Sequence, residues 1–170
     1  MGNLIATSAA SGLCPVTIGN LTLTERAPTL TSVSPFKGKK TAVRKALGHW
    51  PAPNEAKGNV LWAGRNMAFV VGECPDLAGL AATTDQSDAW AALTLEGDAL
   101  EAVMARLTPL DMAAMGPGAT ARGLLGHMSA LYHRTKTGMD IYVFRSMTQT
   151  AVHEITHAMT GVAARAALSA

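Results

Sequence analysis

The string His153-Glu154-Ile155-Thr156-His157 carries the sharpest chemical suggestion in the chain. Two histidines one helical turn apart can hold a zinc ion while the glutamate between them acts as general base. Catalytic zinc also needs a third protein ligand. The residues that follow, Ala158–Ala170, include no His, Asp, Glu or Cys, so only an upstream donor such as His127 or His133 could complete the set. At about 100° per residue, Val152, Ile155, Met159, Val162 and Ala166 form one apolar stripe, with His153 and His157 roughly 135–175° from its centre. A helix that buries this stripe turns both histidines outward. The motif of His153, Glu154 and His157 is therefore read as adventitious, and no catalytic or metal-binding residue is assigned.

Other reactive residues give less. Gly116-Pro117-Gly118 begins like a phosphate loop, but that fingerprint needs a preceding strand and a helix opening at the third glycine. A turn is the simpler reading. Cys74 is followed by Pro75 and Asp76 and has no neighbour to depress its pKa. Ser87 has Asp85 and Asp88 beside it, which do not activate a hydroxyl as a histidine does. Arg145 can bind an anion or close a structural salt bridge.

Bulk properties set the frame for these residues. A chain of 170 residues, 48% hydrophobic and 15% charged, suits one folded domain and argues against disorder. Net charge is only +2, and the single basic cluster is Lys37, Lys39, Lys40, Arg44 and Lys45. Without interleaved aromatics beyond Phe36, it reads as the solvated side of a helix, so no nucleic-acid partner is expected. Cys14 and Cys74 are too few for a disulfide framework and read as reduced thiols, which points to the cytoplasm. The N-terminal stretch lacks the pattern of a signal peptide, and Ala6 stands where a myristoylation signal needs Ser or Thr. No apolar run approaches the ~18 residues of a membrane span.

The elements that must position these residues follow from periodicity. Residues 1–20 read as a flexible arm, and residues 21–170 as one domain. Extended chain is expected from Leu21 to Ser34, interrupted at Pro28. A short helix, Lys39–Leu47, ends at Gly48. Val60–Ala63 and Met67–Gly72 form one hairpin, and Ala89–Leu95 is a buried strand. A helix follows at Ala99–Leu107, stopped by Pro109, and then a Pro/Gly-bearing segment, Leu110–Gly126. Met128–Arg134 and Met139–Ser146 make a second hairpin before a helix running from Thr148 to about Ala167. Hairpins in place of βαβ crossovers imply an α+β sandwich, a mainly antiparallel sheet with helices packed on one face.

The segment Thr83–Met112, with its strand, its LEGDAL turn, its helix and its LTPLDM stop, resembles proteins related to the aminomethyltransferase (T-protein) of the glycine cleavage system. Together with Leu47–Glu73, Ala121–Arg134 and Ile141–Met159, the chain from Leu21 to Ala163 resembles the gamma subunits of heterotetrameric sarcosine oxidases. The resemblance implies a fold like the N-terminal part of the folate-binding T-protein and a non-catalytic role in assembly. The implied partners are alpha, beta and delta subunits of a complex that oxidatively demethylates sarcosine to glycine. FAD, FMN, NAD, zinc and tetrahydrofolate would belong to that complex and none of them to this chain. The T-protein uses an acidic pair in a strand corresponding to Gly126–Arg134, where this sequence has no Asp or Glu, so its chemistry is not expected here. Two alternatives stay open: a stand-alone folate-binding domain, and a metallohydrolase built on the HExxH string.

Overall fold

The computed structural model describes residues 5–168. Its strands are β1 (Val16–Ile18), β2 (Leu21–Arg26), β3 (Leu30–Pro35), β4 (Ala56–Lys57), β5 (Val60–Gly64), β6 (Met67–Val71), β7 (Ala81–Asp85), β8 (Trp90–Glu96), β9 (Thr120–Leu125), β10 (Met128–Arg134) and β11 (Gly138–Phe144). Three helices join them: α1 (Lys40–Ala46), α2 (Leu100–Met104) and α3 (Thr148–Leu168). A single 3-10 turn, Arg145–Met147, leads from β11 into α3.

The antiparallel α+β character matches expectation, but the strands divide between two sheets. One has six strands in the order β1-β2-β8-β11-β10-β9, and the other has five in the order β4-β5-β6-β3-β7. Every pairing is antiparallel. The chain changes sheets between β2 and β3, where Pro28 cannot continue a ladder, and returns between β7 and β8.

Burial explains why two sheets are needed. Along β8 and β11, successive side chains point to opposite faces, yet both faces are apolar. Leu93, Leu95, Ile141 and Val143 join Tyr132 beneath α2 and α3. Trp90, Ala92, Leu131 and Tyr142 face the other way, against Leu30, Leu61, Ala63 and Phe69 of the second sheet. A third cluster, including Val33, Val43, Val70 and Leu77, lies where α1 and the loop after β6 cover the outer side of the five-stranded sheet. The layers are thus helices, sheet, sheet, helix. Each fully buried Leu, Ile or Val contributes roughly 1.5–3 kcal/mol.

Trp90 ties the sheets together. Its ring meets Phe69 edge-on at 5.4 Å and Phe144 at 4.4 Å, and the Arg122 guanidinium lies 5.6 Å from its centroid. Arg122 also donates to the Ala63 carbonyl at 3.1 Å, across the inter-sheet space.

The N-terminal stretch is more structured than a flexible arm. Val16–Ile18 pair with Leu21–Leu23, and Ala10 is fully buried beside the helix-side core. Ala10 donates to Glu25 Oε1 at 3.0 Å, Gln149 bonds Ser11, and Arg145 donates to the Thr7 carbonyl. The composition of this stretch, small and polar, hides these anchors because they are single contacts to distant elements. Residues 1–4 of the expected arm lie outside the described residues.

Candidate functional site

Asp140 is the one acidic or basic residue buried among the described residues, at 6% exposure. It sits in an otherwise apolar strand and points into the inter-sheet space, because Met139 and Ile141 on either side face the helices. Antiparallel register then sets its neighbours. Thr24, Thr94, Asp140, His133 and Thr120 are successive cross-strand partners, forming one polar row over β2, β8, β11, β10 and β9.

The carboxylate is held on both oxygens. Thr94 Oγ1 donates to Oδ1 at 2.8 Å, and Arg26 reaches the same oxygen at 2.7 Å. His133 Nδ1 lies 3.3 Å from Oδ2 and donates to it when that nitrogen carries the hydrogen. Burial alone would raise the Asp140 pKa, but the bonds from His133 and Thr94 and the nearby Arg26 charge outweigh it, and the net direction is down. Beside it, Tyr142 is pushed up to about 12, mainly by burial and then by the Asp140 charge.

Thr120, His133 and Asp140 follow the order nucleophile, base and orienting acid. The chemistry does not follow from the order. Thr120 is 1% exposed, so no substrate atom reaches its hydroxyl, and that hydroxyl makes no hydrogen bond to His133. The row binds charge internally and joins four strands to β2.

The residues singled out by sequence are scattered. On α3, Val152, Ile155 and Met159 are buried, Val162 is partly buried, and His153 and His157 are exposed, with Glu154 between the two states. His127 lies in the turn between β9 and β10. His133 faces away from α3, on the opposite side of the six-stranded sheet, because its neighbour Tyr132 points to the helices. Among the described residues no group of three His, Cys, Asp or Glu is placed to hold a metal ion. Replacing both His153 and His157 with alanine is expected to change the unfolding free energy by no more than about 0.5 kcal/mol, as at other exposed positions. Denaturant unfolding of the double variant checks this; a loss of several kcal/mol contradicts their placement.

Gly116–Gly118 forms a turn, with Gly118 at φ +87°, which only glycine adopts readily. Gly118 donates to the Arg134 carbonyl at 2.8 Å and accepts from Ala56 at 2.7 Å, linking the two sheets. Ser87 is a structural clip: its hydroxyl bonds Asp85 at 2.6 Å and accepts from the Leu30 amide at 3.0 Å. Those bonds from Ser87 lower the Asp85 pKa. Burial raises the thiols of both Cys74 and Cys14, with Glu25 adding to the effect at Cys14, so neither is a primed nucleophile.

Arg145 lines a cavity of about 440 Å3 with Arg26, Glu25, Asp88 and Trp90, roofed by residues 6–9. Sequence reasoning missed Asp140 altogether. Its signal is an acid inside the apolar run Met139–Phe144, directly across the hairpin from His133.

These observations define a class: an α+β domain of two stacked antiparallel sheets with a terminal helix, whose one buried charge among the described residues is engaged internally. No family model matches the chain, and no curated protein does. Among solved structures, it is similar to a chain of the heterotetrameric sarcosine oxidase from Corynebacterium sp. U-96, solved in complex with pyrrole 2-carboxylate. The TM-score is 0.82 at 23% identity, over 93% of this chain and 96% of that one. The fold is therefore shared over nearly the full extent of both chains.

Proposed function

We propose that this chain is the non-catalytic gamma subunit of a heterotetrameric, flavin-dependent sarcosine oxidase, acting in assembly of the complex. The observation that carries the reading is the match over 93% of this chain and 96% of a chain from such an enzyme. Likeness over part of a chain would fit a shared domain; likeness over both whole chains fits an equivalent subunit. The sequence resemblance in Leu47–Glu73 and Thr83–Met112 points the same way.

Local chemistry supports a scaffold role. Asp140 spends both carboxylate oxygens on Arg26, Thr94 and His133, and the Ser87 hydroxyl is engaged by Asp85 and Leu30. The surface offers material for contact with other chains. Phe144 and Met147 are 43% and 45% exposed, flanking the Arg145 that holds the N-terminal stretch, and Leu13 is 47% exposed within that stretch. Contiguous exposed apolar surface marks interfaces, and Phe144 and Met147 stand three residues apart at the junction of β11 and α3.

Under this reading the partners are alpha, beta and delta subunits, and FAD, FMN, NAD, zinc and tetrahydrofolate are bound by them. Cys14 and Cys74 are free thiols, which suits the reducing cytoplasm. Among the described residues no helix is long and apolar enough to cross a membrane.

Co-expression of the affinity-tagged chain with alpha, beta and delta subunits tests the proposal. The expected result is co-purification of all four in equal amounts. Recovery of the tagged chain alone contradicts it, and micromolar binding of tetrahydrofolate by that lone chain would favour the folate-binding alternative.

A further inference from the structure

The fold gathers a second feature that the oxidase reading does not use. Seven of the fourteen Lys and Arg fall within residues 37–65, alongside one acid, Glu55. The sequence reads the first five as a solvated helix face. In the structure two tryptophans come to join them. A cavity of about 410 Å3 is lined by Lys40, Arg44, Lys57 and Trp50, and an adjoining one of about 330 Å3 by Lys40, Arg65, Trp50 and Trp62. The two share Lys40, Trp50 and Pro51, so together they make one elongated groove beside α1.

Lys40, Arg44, Lys57 and Arg65 are exposed, and none is in an ion pair among the described residues. Glu55 also lines the first cavity, its Oε2 accepting from the Ala52 amide at 2.8 Å, so the groove carries four cations against one carboxylate. Lys40 and Arg44 are one turn apart on α1 and so present two cations on the same side. Lys57 comes from β4 and Arg65 from the turn between β5 and β6. Arg44 and Lys57 serve one cavity, Arg65 serves the other, and Lys40 borders both. A single small anion would engage only part of this set.

We propose that the groove docks an extended acidic segment of another polypeptide chain, with its carboxylates spaced along Lys40, Arg44, Lys57 and Arg65. A peptide suits the groove better than a nucleic acid. Single-strand binding stacks successive bases on aromatic side chains, whereas here Trp50 has the Lys40 ammonium 5.9 Å from its ring centroid and Trp62 is partly buried. Charge complementarity of this type steers association and fixes register, and it weakens with salt.

The test uses the full chain and a fluorescein-labelled, glutamate-rich peptide, followed by fluorescence anisotropy. Binding is expected at low ionic strength, falling as salt approaches about 0.15 M. The Lys40→Glu and Arg44→Glu variants should each bind about tenfold more weakly. Lys136→Glu, at the tip of the β10–β11 hairpin, should bind as the unaltered chain does. All three positions are exposed, and circular dichroism checks that each variant is folded. Absence of binding at low salt overturns the proposal, as does equal weakening by Lys136→Glu. Displacement of the peptide by lower concentrations of oligothymidylate or tripolyphosphate overturns it in favour of a nucleic-acid or phosphate site. None of these outcomes depends on the sarcosine oxidase subunits.

Discussion

The Asp140→Ala variant is expected to lose about 2–4 kcal/mol of stability at neutral pH, measured by urea unfolding. The substitution removes the acceptor for Thr94, His133 and Arg26 at once. A fully buried ion pair broken on one side costs about 3–5 kcal/mol, because the remaining charge is stranded. Here the Arg26 side chain is 42% exposed and can turn toward water, which holds the cost below the top of that range. Thr94 and His133 lie within the sheet row and have less freedom to find new partners.

Removing the Asp140 charge alone, as in Asp140→Asn, has a pH signature. The Asp140 pKa is lowered in the folded state, so the ionised carboxylate favours folding. Its contribution is complete above the unfolded aspartate value of about 3.9 and is lost as pH falls through the lower folded value. The stability difference between the unaltered chain and Asp140→Asn should therefore be constant near neutrality and shrink only in that acid window. A difference that grows on acidification contradicts the assigned direction.

Gly97→Ala is the second large effect, with an expected loss of about 2–4 kcal/mol. Gly97 follows β8 at φ +127°, a conformation that an alanine adopts only under strain. A methyl group there would also lie 2.3 Å from the Asn20 carbonyl oxygen and 3.0 Å from the Leu21 Cα. Both are backbone atoms, so no side chain can rotate away to make room. The β1–β2 turn packs directly on this residue, and Asn20 donates to Asp98 Oδ2 at 3.1 Å beside it. Relief thus requires moving the turn off the end of β8. Thermal unfolding of Gly97→Ala measures the cost, and an unchanged midpoint would show that the close approach is absent.

What was legible in the sequence follows burial. Strands β6, β8, β10 and β11 are covered on both faces and stand out as apolar runs such as Ala91–Leu95 and Ile141–Val143. Helix α3 shows its buried stripe at helical spacing, and the outward placement of His153 and His157 follows from it. The strands missed were β1, β4, β7 and β9, which are the four edges of the two sheets. Edge strands are short, partly solvated and tolerant of glycine and small polar residues. In β7, Ala82, Thr83, Thr84 and Asp85 are all exposed, so no alternation marks it. Pairing with β3 makes it a strand, and such long-range register is invisible in local pattern.

The site residues divide in the same way. His153, Glu154 and His157 are conspicuous because they are close in sequence. Thr94, Asp140 and His133 of the polar row are brought together by pairings across β8, β11 and β10, and Arg26 reaches Asp140 from β2. The basic groove is an intermediate case. Its lysines and arginines are plain in the sequence, but the arrival of Trp50 and Trp62 beside them depends on the loop after α1 and on β5.

The most direct measurement of the central claim is the mass of the assembled particle. Alpha, beta and delta subunits would be co-expressed with and without this chain, and the products weighed by light scattering after gel filtration. The subunit reading predicts a single particle containing one copy of this chain, which fails to form or falls apart when the chain is omitted. A particle of the other three that forms without it, with this chain eluting alone as a stable monomer, would contradict the reading.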